Sequence, residues 1–144
     1  MSIIIPPDQL VLIQLNGEQA YPEEGAGFLF GRDGPNRTVS AIYNLSNARE
    51  NDARHNRYLI TPQDYLKGEL EAERLGLDVI GVFHSHPDHP NSASEYDREW
   101  AQPYFSYVIT SIRAGKAYES RSWRLTDDRS RFEDEPIVSS PLKQ

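Results

Sequence analysis

The sequence predicts a single α/β (α+β) domain in which helices pack against a mixed β-sheet. Its 144 residues match the length of one compact domain, and no internal repeat or low-complexity block divides them. Helix signals alternate along the chain with short apolar segments of strand character. The last two strand segments are separated only by the turn Ala114-Gly115, which predicts a hairpin. Strands joined both by helices and by a hairpin indicate a mixed sheet.

The first third of the chain contains one helix signal among strand signals. The helix is expected to start at Pro7, because proline is tolerated at the first helical position, and to end near Ala20. Leu10, Ile13 and Gly17 would then lie on one face of that helix. The predicted strands are Ile3–Ile5, Gly27–Gly31 and Thr38–Leu45, with a turn at Asp33-Gly34-Pro35 between the last two.

Two further helices are predicted from their N-terminal caps. Thr61, Pro62 and Asp64 supply an N-cap, a proline at the first position and an acid at the third, for a helix ending at Gly76. Ser94 and Asp97 begin a shorter helix that stops before Pro103. The other segments are a polar loop over Ser46–Asn56, strands over Arg57–Ile60, Val79–Phe83, Tyr104–Ile112 and Lys116–Leu125, and at most a short strand after Thr126 before a frayed end.

The composition excludes several classes of protein. Cysteine is absent, which excludes disulfide scaffolds, thiol nucleophiles and Cys-ligated zinc sites. A net charge of −7 argues against a main role in binding nucleic acid or anionic lipid. The first residues lack the basic segment of a secretory signal, and the longest apolar stretches, such as Val79–Phe83, are far shorter than the ~20 residues that cross a bilayer. We therefore expect a cytoplasmic protein that binds neither membranes nor nucleic acid.

Three of the four histidines, His84, His86 and His89, lie within six positions at the end of the most apolar strand segment. In an extended chain, residues two apart point to the same face with Cα atoms roughly 6.6 to 7 Å apart. His84 and His86 can therefore converge on one ion at ~2.0 to 2.1 Å from each nitrogen. This pattern predicts a metal site.

Asp97 is the candidate for the third metal ligand. It occupies the first turn of a predicted helix, and seven residues separate His86 from the start of that helix at Ser94. A loop of this length lets the helix fold back over the end of the strand. Two imidazoles and one carboxylate leave the fourth position of a tetrahedral zinc open to water, as in catalytic rather than structural sites.

Taken together, His84-Ser-His86-Pro and Ser94-Glu-Tyr-Asp97 at this spacing resemble the signature of the JAMM metalloproteases of the JAB/MPN domain family. The resemblance extends upstream to the segment Tyr21–Gly31, where it assigns the family's catalytic glutamate to Glu24 rather than Glu23. Ala26 stands where bacterial members often have cysteine. The resemblance covers about Ile5 to Leu125, and it implies a cytidine deaminase-like JAB/MPN fold over residues 1–126, followed by a C-terminal strand or flexible tail over 127–144.

What the resemblance implies is zinc-dependent hydrolysis of a peptide or isopeptide bond at the end of a ubiquitin-like protein. In this interpretation His84, His86 and Asp97 bind Zn²⁺, Glu24 transfers the proton of the attacking water, and the Ser94 hydroxyl donates to the oxyanion. Minimal members of the family are linked with sulfur-carrier proteins, whose Gly-Gly tail they cleave from an extension or an attached residue. Such a tail could bind as an added strand along a sheet edge leading to the metal.

Other interpretations of these residues remain open. Ser94 and Asp97 together also form an ordinary capping box, and Glu24 could be a polar loop residue. Asp88 and His89 could contact substrate or could belong to a solvated loop. A basic group in the predicted loop and the strand after it has the same two explanations, partner contact or solvation. This group consists of Arg49, Arg54, His55 and Arg57. Tyr104, Tyr107 and Trp123 are interpreted as residues that pack on the sheet.

Two alternative functions follow from the same family resemblance. One is a noncatalytic MPN-type scaffold, a class that lacks metal ligands, whereas this chain keeps all of them. The other is a DNA-associated RadC-like protein, against which the charge of −7 and the lack of a helix-hairpin-helix module argue.

Overall fold

A computed structural model of the chain describes residues 2–45 and 60–140. Within these ranges, one mixed eight-stranded sheet has the order β7-β6-β5-β4-β2-β3-β1-β8 and is packed by three helices, which confirms the predicted fold class. The elements are β1 (Ile3–Ile4), α1 (Pro7–Ala20), β2 (Ala26–Arg32), β3 (Arg37–Leu45), α2 (Pro62–Arg74), β4 (Asp78–Pro87), α3 (Glu95–Trp100), β5 (Ser106–Arg113), β6 (Lys116–Leu125), β7 (Phe132–Glu135) and β8 (Ile137–Val138).

Strand β4 lies inside the sheet, antiparallel to β2 and parallel to β5. It continues through His84 and His86 to Pro87, beyond the apolar segment Val79–Phe83. The strand extends past its apolar segment because pairing, and not the polarity of the residues, sets its end. His84, His86 and Pro87 pair in register with residues of β5, and both faces of this part of the strand are covered. The histidines therefore lie within a strand rather than in a loop.

Helix α1 packs on one face of the sheet. Its first residue is Pro7, as predicted, and Leu10, Ile13 and Gly17 face the sheet. A Cβ atom at Gly17 would lie 2.8 Å from Ile112 Cδ1 and 3.1 Å from Ser85 Cβ. The glycine therefore allows the helix to approach the end of β4 closely.

Helices α2 and α3 pack on the opposite face. Helix α2 starts with the predicted capping box: the Thr61 hydroxyl accepts from the Asp64 N–H at 3.1 Å, and the Asp64 carboxylate accepts from the Thr61 N–H at 3.0 Å. The helix stops before Gly76, whose φ of +71° suits glycine. Ala72 of α2 and Ala101 after α3 join a core cluster with Phe28 and Val82 of the sheet, separate from the cluster under α1.

The segment after Leu125 forms two strands, more than the single short strand that the sequence predicts. Strand β7 pairs with β6 at one end of the sheet, and β8 pairs with β1 at the other end, although only Pro136 separates them. The hydrogen bonds from the Ile3 N–H to Pro136 O and from the Ile5 N–H to Val138 O, of 2.9 and 2.8 Å, hold β8 against the N-terminal segment. The two outer strands of the sheet are thus brought together by one continuous stretch of chain.

The turn between β6 and β7 supports α3. The Arg129 guanidinium donates hydrogen bonds to the carbonyls of Ala101, Glu99 and Arg98, of 2.7, 3.2 and 3.3 Å. A cation near the last carbonyls of a helix satisfies their free acceptors and interacts favourably with the helix dipole. The C-terminal end of α3 is therefore fixed to the sheet.

Some sequence predictions fall on residues outside the described ranges. They include the loop over Ser46–Asn56, most of the strand over Arg57–Ile60, and the basic group made of Arg49, Arg54, His55 and Arg57. The boundary between a domain over residues 1–126 and a tail over 127–144 stays a prediction. None of the described helices combines the length and the apolar character that a membrane span requires.

Candidate metal centre

The side chains of His84 and His86 lie on the face of the sheet that α2 and α3 cover. Neighbouring residues of β4 alternate between the two cores, so Val82, His84 and His86 share one face, while Phe83 and Ser85 point towards α1. Both histidines are buried, and their Nε2 atoms are 3.1 Å apart. The convergence predicted for the His-x-His pair is therefore present.

Asp97 projects from the first turn of α3 towards the two imidazoles. Its Oδ1 lies 3.2 Å from His84 Nε2 and its Oδ2 lies 3.3 Å from His86 Nε2, and the carboxyl group is buried. Ligand atoms bound at 2.0 to 2.1 Å to a tetrahedral ion are separated by about 3.3 Å. The donor atoms of the three side chains thus converge closely, and the three residues form a group that could hold a metal ion.

The protonation states of these residues suit metal binding. Burial lowers the pKa of His84 below its usual value, although the charge of Asp97 opposes this shift. Burial raises the pKa of Asp97, but its interactions with His84, His86 and the Ser94 N–H outweigh this effect and bring the pKa well below the usual range. A neutral imidazole and an ionised carboxylate are the forms that coordinate a metal.

The orientation of His86 is set by a carbonyl. His86 Nδ1 lies 2.7 Å from Pro90 O, which can only accept a hydrogen bond, so Nδ1 carries the proton. Nε2 then presents its lone pair towards His84 and Asp97. A hydrogen bond of this kind on the second nitrogen is the usual way in which a metal-binding histidine is oriented.

Ser94 forms the N-cap of α3. Its hydroxyl accepts from the Asp97 N–H at 3.1 Å, and Asp97 Oδ2 accepts from the Ser94 N–H at 2.8 Å. The capping-box interpretation of these two residues is therefore confirmed. The hydroxyl is exposed and keeps its own proton available for donation, because it serves here as an acceptor. A direct role of Ser94 in chemistry stays a prediction.

Glu24 lies just before the start of β2, beside the strand that carries the histidines. Ala26 pairs with His84 across β2 and β4, and the next residue, Gly25, exchanges hydrogen bonds with Ser85 of 2.8 and 3.0 Å. Glu24 comes directly before this pair, in the segment that leads into β2. Its side chain is 7% exposed. The structure thus brings a buried carboxyl group to the end of β2 that adjoins the metal ligands.

Asp88 has a structural role that the sequence does not reveal. It adopts a φ of +57°, and its carboxylate accepts from the Tyr21 hydroxyl at 2.6 Å and from the Ala114 N–H at 3.0 Å. It thereby links the end of β4 to the segment that carries Glu24 and to the β5–β6 turn. Nothing local signals these contacts, because the partners are 67 and 26 residues away. His89 is exposed, and its side chain is not part of the described metal-binding group.

Comparison with known families supports this description of the site. The sequence profile of a family described as prokaryotic homologs of the JAB domain matches residues 10–126, which contain Glu24, His84, His86, Ser94 and Asp97. The chain belongs to this JAB family. The family resemblance based on the His-x-His and Ser-x-x-Asp motifs is therefore confirmed.

Curated relatives of this JAB chain come from archaea and bacteria. A desampylase of Pyrococcus furiosus is 34% identical over 137 residues, which are 95% of this chain and 91% of that protein. A probable TtuB-protein conjugate cleaving protease of Thermus thermophilus is 32% identical over 96 residues. That match takes in 65% of this chain and only 61% of the protease, so less than two thirds of the Thermus protein is covered.

The JAB fold of the chain is also found among solved structures. A crystal structure of a JAB1/MPN domain protein from Archaeoglobus fulgidus superposes with a TM-score of 0.58, over 94% of this chain and 98% of that one. At 16% sequence identity, this similarity demonstrates a shared fold. The predicted JAB/MPN fold is confirmed.

Proposed function

We propose that this chain is a zinc-dependent protease that hydrolyses peptide or isopeptide bonds after the C-terminal Gly-Gly tail of a ubiquitin-like or sulfur-carrier protein. The observation that carries the proposal is the buried group of His84, His86 and Asp97, whose donor atoms converge within the distances described above. The names of the relatives, a desampylase and a protease that cleaves TtuB-protein conjugates, support the substrate class.

Zinc suits this set of donors better than a harder cation. Two imidazole nitrogens and one carboxylate oxygen form a common set of protein ligands for catalytic zinc, whereas calcium and magnesium prefer oxygen ligands. When bound, zinc would polarise the scissile carbonyl and lower the pKa of a water molecule towards 7. With three protein ligands, one coordination position stays open for this chemistry.

The residues of the chain then have separate tasks. The Glu24 carboxylate accepts the proton of the attacking water and delivers it to the nitrogen of the leaving amine. The Ser94 hydroxyl donates a hydrogen bond to the oxygen on which negative charge develops. His86 is held in its ligating orientation by the Pro90 carbonyl at 2.7 Å from Nδ1. Burial of Glu24 and Asp97 keeps these two carboxyl groups away from competing water.

The position of the metal ligands within the sheet limits where a substrate tail can lie. Strand β4 is paired on both sides at His84, so it has no free edge along which a tail could add. In the described part of the chain the outer strands of the sheet are β7 and β8. We therefore propose that the flexible tail crosses the C-terminal end of β4, between the segment carrying Glu24 and the start of α3.

Cleavage of an extended carrier protein tests this function. The zinc-loaded protein is incubated with a sulfur carrier that has a short C-terminal extension after Gly-Gly, and the product is identified by mass. We expect a single cut after the second glycine. A matched carrier with Ala-Ala in place of Gly-Gly should be cut much more slowly, because a Cβ atom near the scissile bond hinders access. If the extended carrier and an isopeptide conjugate both stay intact with zinc bound, the scaffold interpretation is favoured.

Ser94→Ala distinguishes a helix cap from an oxyanion donor. Loss of the cap alone should reduce stability by about 1 kcal/mol and leave the rate of the folded enzyme nearly unchanged. Loss of the oxyanion donor should lower kcat by roughly 10² to 10³, equivalent to about 2.7 to 4 kcal/mol. We expect the second result in kinetic assays well below the unfolding temperature.

Ser94→Asp is the matched control for this experiment. Aspartate caps a helix about as well as serine, but its ionised carboxylate has no proton to donate. A stable, zinc-loaded and slow Ser94→Asp enzyme supports the catalytic role. Near-normal turnover by either variant would leave Ser94 with its capping function alone.

A further inference from the structure

Three consecutive carbonyl groups in the loop after β4 each accept a hydrogen bond from a side chain. The Ser111 hydroxyl donates to His89 O at 2.7 Å, His86 Nδ1 donates to Pro90 O at 2.7 Å, and Trp123 Nε1 donates to Asn91 O at 3.0 Å. The donors belong to β5, β4 and β6, which are adjacent strands of the sheet. The loop is thus attached to the sheet at three successive peptide groups.

The middle carbonyl is the one that orients a metal ligand. Pro90 has no backbone N–H, so its carbonyl, which faces His86, is the only backbone group through which it can form a hydrogen bond. The direction of this carbonyl therefore depends on the two peptide groups beside it. Ser111 fixes the group before it and Trp123 the group after it. Because the peptide groups before and after it are both fixed, the Pro90 carbonyl keeps the His86 ring in one tautomer and one orientation.

Two further contacts strengthen the attachment at Trp123. The Asn91 side chain donates to Glu119 O of β6 at 2.9 Å, which joins the loop to the same strand. The Arg121 guanidinium lies 4.5 Å from the centre of the Trp123 ring and packs against it. The indole is therefore held in place independently of its N–H.

We propose that Ser111 and Trp123 are positioning residues of the metal centre. By holding the carbonyls of His89 and Asn91, they aim the Pro90 carbonyl at His86 Nδ1 and so direct Nε2 to the metal position. Ser111 is the strand partner of His86 in β5, but its hydroxyl, like the Trp123 N–H, bonds to a carbonyl of the loop and not to a metal ligand. The proposal rests on the metal-binding part of the proposed function and is independent of the substrate and of the roles of Glu24 and Ser94.

The variants Ser111→Ala and Trp123→Phe each remove one donor. Phenylalanine keeps an aromatic ring beside Arg121 and loses only the N–H function and part of the ring area. Zinc affinity is measured by competition with a chelator, and the visible spectrum of the Co²⁺-loaded protein reports the geometry of the site. We expect the double variant to bind zinc about 10-fold or more weakly, because loss of outer hydrogen bonds typically weakens metal sites by 10- to 100-fold.

Ser120→Ala is the matched control. The Ser120 hydroxyl also forms a short hydrogen bond between β5 and β6, of 2.6 Å to Thr110, but the bond does not involve the loop. This variant should keep the zinc affinity and the Co²⁺ spectrum of the unmodified protein, even if its unfolding temperature falls. This control distinguishes a general destabilisation of β5 and β6 from a specific effect on the loop.

A second measurement does not need metal. In the metal-free protein, nitrogen NMR spectra identify which ring nitrogen of His86 carries the proton. We expect Nδ1 in the unmodified protein and a mixture of tautomers in the double variant. Unchanged zinc affinity and an unchanged tautomer in folded Ser111→Ala and in the double variant would overturn the proposal. If the unmodified protein binds no zinc, the proposed function fails, while the tautomer still tests the positioning role.

Discussion

The Glu24→Gln variant is expected to keep its zinc and to hydrolyse the substrate about 10²-fold or more slowly than the unmodified protein. Glutamine has nearly the shape of glutamate but cannot accept a proton from water at neutral pH. Glu24 is not part of the His84, His86 and Asp97 group, so metal content should not change. The measurement is kcat on the extended carrier protein, together with elemental analysis of the same sample.

The neighbouring Glu23 provides the control for this change. Glu23 precedes Glu24 in the same segment but is only half-buried, whereas Glu24 is buried. Glu23→Gln should retain most of the activity. Full activity of Glu24→Gln, or a large loss in Glu23→Gln instead, would remove Glu24 from the mechanism and make Glu23 the candidate base.

The other large effect concerns the metal itself. The unmodified protein should bind one zinc per chain, and His86→Ala should lose it, because two ligands rarely hold the ion against competition from water. His89→Ala is the matched control, since His89 lies three residues away and its side chain is exposed. Elemental analysis after reconstitution measures both. Binding of less than about a tenth of an equivalent by the unmodified protein would refute the metal hypothesis.

Helix positions could be predicted because their signals are local. Pro7 marks the start of α1 and the Thr61–Asp64 pair the start of α2, and each signal depends only on residues within one helical turn. The metal ligands were predictable for a similar reason. The two-residue spacing of His84 and His86 places both side chains on one face of a strand, whatever the rest of the fold is.

The remaining features depend on contacts between distant parts of the chain. The apolar residues of β4 end at Phe83, but pairing with β5 continues the strand through the His-Ser-His segment to Pro87. Trp123 is interpreted from the sequence as a packing residue, yet it also holds Asn91, 32 residues earlier. The position of Glu24 likewise follows from the pairing of Ala26 with His84, which local patterns cannot show.

The pairing of β8 with β1 affects how the protein can fold during synthesis. Ile3 lies opposite Ile137, so a contact at one edge of the sheet joins the first and last described parts of the chain. Contacts between residues far apart in sequence form slowly, because a long loop must close before they gain any stability. A nascent chain can form the helices and the β5–β6 hairpin early. Its N-terminal strand acquires this neighbour only after residue 138 has left the ribosome, so we expect this pairing to belong to the last stage of folding.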